Sequence, residues 1–75
     1  MPPTDPAVPR VTWDEAKALI TGGRVQQAFQ THALEVRLYL KDGTSVVTTE
    51  TRIDEVFQVI RDCGAPCADI MIATE

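Results

Sequence analysis

Leu34, Val36, Leu38 and Leu40 alternate with Glu35, Arg37 and Tyr39, and Lys41-Asp42-Gly43-Thr44 follows them directly. A two-residue period describes a strand with one buried and one wet face, and Asp-Gly tolerates the positive φ angles of a tight hairpin turn. Ser45-Val46-Val47-Thr48-Thr49 is then the returning strand. From Arg24 onward the pattern has already changed from helical to alternating, which predicts an earlier strand over Val25 to Thr31.

Two helices flank this meander. Val11-Thr12-Trp13-Asp14-Glu15-Ala16 matches a capping box, in which Thr12 accepts from the Glu15 amide while the Glu15 carboxylate reaches back. Trp13, Ala16, Leu19 and Ile20 form one apolar stripe, and Gly22-Gly23 supplies an exit, so the helix spans residues 13 to 21. Thr51-Arg52-Ile53-Asp54 repeats the cap logic and predicts a second helix from there. Ile53, Val56, Phe57, Ile60 and Cys63 share its inner face. Gly64 closes that helix, Pro66 prevents its resumption, and Asp69 to Thr74 reads as a last strand.

These elements predict a single small α+β domain in the order α-β-β-β-α-β. Short turns make the first three strands antiparallel, and the second helix is a crossover that brings the last strand back parallel to the first. A right-handed crossover gives the spatial order 3-2-1-4, a four-stranded mixed sheet with both helices on one face. Pro2, Pro3, Pro6 and Pro9 hold the start of the chain extended, so residues 1–10 are expected to be a disordered tail and residues 11–75 the domain.

With 75 residues the chain builds one core. Its net charge of -4 repels phosphate backbones and anionic lipid, so nucleic acid is not expected as a partner. No apolar stretch approaches the ~20 residues that span a bilayer, and Met1-Pro2-Pro3 begins neither a basic nor an apolar leader region. No membrane insertion and a cytoplasmic setting are the expectations.

Cys63-Gly64-Ala65-Pro66-Cys67 is the one constellation that invites chemistry. A redox pair usually reads Cys-x-x-Cys, and His32, the only histidine, lies 31 residues before Cys63, so a zinc site lacks ligands. Cys63 continues an apolar stripe, and the reading favours two reduced structural thiols over a disulfide or redox-responsive pair, or a metal shared between chains. His32 in a turn has no nucleophile at motif spacing, and Asp14-Glu15 and Asp54-Glu55 offset helix dipoles. No enzyme, metal or other cofactor is expected. The polar side of the second strand is different: Glu35, Arg37 and Tyr39 face away from the helices, and tyrosine with arginine is typical of binding hot spots. Ile70 and Ile72 on the terminal strand offer a second contact by edge addition.

The expected function is a non-catalytic protein interaction or oligomerisation module, with a protein partner or a second copy on the open face or the last strand. A thiol-responsive regulator using Cys63 and Cys67 is the alternative. Small size and acidity also suit a phage or mobile-element inhibitor.

Several segments resemble the extracytoplasmic domain of the FtsH family of membrane-anchored AAA metalloproteases. Trp13-Asp14-Glu15-Ala16 stands where that family has an aromatic opening helix, and Gly23-Arg24-Val25-Gln26 is similar to its glycine-lysine-valine approach to the first strand. Leu38 to Thr44 looks like its Lys-Asp-Gly hairpin, and Ile53 to Gly64 like its closing helix, so the likeness covers residues 12 to 74. The chain has no phosphate loop and no His-Glu-x-x-His motif, so protease activity does not carry over. The resemblance implies an assembly or interaction role.

Overall fold

The computed structural model describes residues 8–74. Helices α1 (Trp13–Thr21) and α2 (Glu55–Cys63) cover one face of a sheet built from β1 (Val25–Gln30), β2 (Glu35–Leu40), β3 (Ser45–Thr49) and β4 (Met71–Thr74). The strand order is β3-β2-β1-β4, with β1 antiparallel to β2, β2 antiparallel to β3, and β4 parallel to β1. The α-β-β-β-α-β order, the mixed sheet and the placement of the last strand agree with the sequence reading.

The pleat explains the core. Val36 and Leu38 on β2 are fully buried, and Leu38 stands opposite Ala28 of β1 and Val46 of β3. These side chains meet Ala16 and Ile20 of α1 and Val56 and Ile60 of α2 in one apolar cluster. A β-bulge between Val25 and Gln27 shifts the phase of β1, which is why Val25 and Ala28, three residues apart, both point inward. The reciprocal cap of α1 is present: Thr12 Oγ1 accepts from the Glu15 amide at 3.0 Å, and Glu15 Oε1 accepts from the Thr12 amide at 2.9 Å.

Three expectations are corrected. Helix α2 begins at Glu55, not at the Thr51 cap. Asp54 takes a left-handed conformation (φ 69°) that interrupts any helix starting earlier, and the Gln30 side chain pins it there: Asp54 N–H donates to Gln30 Oε1 at 2.7 Å, and Gln30 Nε2 donates to Asp54 Oδ1 at 3.0 Å. Ile53, expected on the inner face, is therefore 51% exposed. Leu34 is not a strand residue, because at φ 68° it forms the β1–β2 turn, and its carbonyl accepts from the Glu50 amide at 2.9 Å. The last strand starts at Met71, since the preceding residues complete a 3-10 turn over Ala65–Cys67, after which Ile70 N–H donates to the Cys67 carbonyl.

Residues 1–7 of the expected tail lie outside the described residues. Pro9, Arg10 and Val11 run parallel along the free edge of β3: Val47 N–H donates to the Pro9 carbonyl at 3.0 Å, and Val11 N–H donates to the Val47 carbonyl at 2.9 Å. One edge of the sheet is thus paired, which leaves β4 as the other edge.

Candidate interaction surface

The strand register assembles the face opposite the helices. Tyr39 stands across from Gln27 and Ser45, Arg37 across from Phe29 and Val47, and Glu35 across from Thr49. Phe29 is in turn level with Ala73 of β4, and Gln27 with Met71. Side chains at paired positions project to the same side, so Phe29, Arg37, Tyr39 and Met71 share one surface. Tyr39 is 38% exposed and Met71 63%. Phe29, Thr31, Glu35, Arg37 and Tyr39 line a shallow concavity of about 260 Å³ on this face.

Of the residues expected at the contact, Glu35, Arg37 and Tyr39 come together here. Ile70 does not: it is buried in the core cluster. Ile72 pairs with inward-facing Ala28 and belongs to the helix side of the sheet, half-exposed only because it lies at the edge.

Arg10 was not singled out in the sequence. Its guanidinium crosses β3 to reach Thr49 Oγ1 at 3.0 Å and Glu35 Oε2 at 3.1 Å. Glu35, the one acidic strand residue, is therefore neutralised by an ion pair, whereas Arg37 has no side-chain hydrogen bond or ion pair among the described residues. The open face of an acidic chain is consequently not acidic. A signal for Arg10 exists only in three dimensions, because it sits 25 residues before its partner.

Other polar groups serve the fold. Glu50 is 1% exposed, and its Oε1 accepts from the Val56 amide at 2.8 Å, capping α2 from the strand side. Burial pushes its carboxyl up, the neighbouring Asp54 and Glu55 charges push the same way, and the Val56 amide opposes them. Thr51 donates to Glu55 from both its amide and its hydroxyl, which holds the Glu55 carboxyl below its ordinary range. Asp42 is lowered likewise by the Thr44 hydroxyl and amide in the hairpin turn. A second concavity, lined by residues that include Trp13, Glu15 and Thr48, lies beside the start of α1. No group of three or more His, Cys, Asp or Glu side chains that could hold a metal ion is found among the described residues.

Cys63 and Cys67 are joined in a disulfide, where the sequence reading favoured two reduced thiols. The turn beginning at Gly64 (φ 77°) folds the chain back, so that the last residue of α2 meets the last residue of the 3-10 turn. A positive φ of this kind is natural to glycine. No helix among the described residues is long and apolar enough to cross a membrane.

No protein-family model matches this chain, and no curated protein is found to be similar to it.

Proposed function

We propose that the protein is a non-catalytic association module whose open sheet face binds a second copy of itself. Supporting this reading above all is the Arg37 guanidinium, without a side-chain hydrogen bond or ion pair among the described residues, set between Phe29 and Val47 and next to Tyr39 on β2. Arginine and tyrosine on an apolar ground are the composition of interface hot spots. A two-fold contact is isologous, so a residue on one copy meets a different residue on the other, reciprocally. Glu35 and Arg37 lie two positions apart on the same face of β2, and in such a contact each Arg37 meets the partner copy's Glu35, sharing that carboxylate with the Arg10 that already pairs with it. Elsewhere the chain, at net charge -4, repels its own copies. The assembly role implied by the FtsH resemblance points the same way.

Sedimentation over a concentration series tests the reading. The parent chain associates, and Tyr39→Ala weakens association by on the order of 2 kcal/mol while circular dichroism stays unchanged. A parent that is monomeric throughout, or a variant that associates like it, contradicts the proposal.

A further inference from the structure

We infer that the Cys63–Cys67 bond is a thiol–disulfide exchange site, attacked by a low-molecular-weight thiol at Cys63, with Cys67 as the buried leaving sulfur. This is independent of the open-face contact, since both cysteines lie on the helix side of the sheet.

The two sulfurs occupy unlike surroundings. Cys63 ends α2 and is half-buried, packed at the margin of the core, whereas Cys67 is 2% exposed and belongs to the core itself. Exchange needs an incoming thiolate to reach one sulfur, and here the access of Cys63 outweighs the disfavoured departure of Cys67, which leaves by taking up a proton. Cys63 offers that approach.

The second difference is the Ile20 carbonyl at the end of α1. Cys67 Sγ lies 3.0 Å from its oxygen, and Cys63 Sγ 4.0 Å. In the disulfide neither sulfur carries a proton, so this is a contact only. Once the bond opens, Cys67 gains an S–H whose acceptor is already in place. A hydrogen bond donated by the neutral thiol and burial in an apolar core both disfavour the thiolate. Reduced Cys67 is thereby held as a quiet thiol, and Cys63 is the reactive one.

The chemistry balances with two equivalents of external thiol. The first thiolate bonds to Cys63 Sγ, the Cys63–Cys67 bond breaks, and Cys67 takes the electron pair and a proton. A second thiolate attacks the external sulfur of the mixed disulfide, releasing Cys63 as a thiolate and leaving as the external disulfide. Two electrons pass from two thiols to the protein. In the reverse direction Cys63 thiolate attacks an external disulfide and releases one external thiolate, and Cys67, giving up its proton as it attacks Cys63 Sγ, displaces the second external thiolate.

The test uses glutathione disulfide as the probe and intact mass as the readout. Reduced Cys67→Ser gains one glutathionyl group at Cys63, whereas Cys63→Ser reacts at least about tenfold more slowly while folded, and the two rates converge in denaturant. Equal rates in the folded state, or faster reaction at Cys67, overturn the assignment. The fully reduced parent chain guards against variants that fail to fold. Treated with less than one equivalent of iodoacetamide and mapped by peptide mass, it carries the label on Cys63, and label found mainly on Cys67 overturns the assignment equally.

Discussion

Glu50 Oε1 accepts a hydrogen bond from the Val56 backbone amide, tying the end of β3 to the first turn of α2 through a fully buried carboxyl. Its other oxygen, Oε2, is buried with no hydrogen-bond partner among the described residues. Such a group is costly to ionise, and burial accordingly raises its pKa.

The sign of the resulting pH dependence follows from linkage. Because the folded state holds the Glu50 proton more tightly than the unfolded chain, this carboxyl stabilises the fold fully below its ordinary range. That stability is lost as pH rises through the raised folded value. Asp42 and Glu55, both lowered, act oppositely: their contribution is present above the ordinary carboxylate range and fades as pH falls through their lowered values. Glu50→Gln keeps the acceptor for Val56 and removes the ionisation. Denaturant melts between mildly acidic and neutral pH are expected to show the variant gaining on the parent as pH rises. Parallel curves would contradict the buried-carboxyl assignment.

Truncation separates the tail from the edge it pairs. A chain beginning at Pro9 keeps both backbone bonds to Val47, and its stability should lie within ~1 kcal/mol of the full chain. A chain beginning at Thr12 loses both bonds, and each is worth about 0.5 to 1.5 kcal/mol net, so a loss of roughly 1 to 3 kcal/mol is expected. Chemical denaturation of the two truncations checks this. Equal stabilities would mean that Pro9–Val11 contributes nothing to the β3 edge.

The hairpin, the order of strands and the open face were legible because they depend on period and on connection length. Leu38 faces the helices and Tyr39 faces away from them simply because a pleat alternates. What escaped is set by contacts distant in sequence. The start of α2 is decided by Gln30, 24 residues before Asp54, and by Glu50, which in sequence reads as one more polar residue after two threonines. Leu34 carries no mark of a left-handed turn, since leucine is not a residue that favours one. The ion pair that quiets Glu35 comes from a segment whose prolines suggested a tail. Cys63 and Cys67 were visible as neighbours, but their bond depends on the reversal at Gly64.

Reduction should weaken the fold without undoing it. The bridge closes a loop with a sequence separation of only 4, for which chain entropy gives about 2 kcal/mol, near the low end for disulfides. The Ile20 carbonyl offers the reduced Cys67 a partner, which limits the loss further. Thermal or denaturant melts with and without a dithiol reductant measure the difference. Complete unfolding on reduction would show the bridge to be indispensable.

Reciprocal charge exchange across the open face tests the central claim most directly. Arg37→Glu and Glu35→Arg, the latter made together with Arg10→Ala so that no second guanidinium crowds it, each place like charges opposite one another in a two-fold contact, whereas an equimolar mixture of the two restores opposite charges at both positions. Sedimentation equilibrium is expected to find the parent associated, each variant alone monomeric and folded, and the mixture associated again. A mixture that stays monomeric while the parent associates would contradict a contact between the Arg37 and Glu35 faces of two copies.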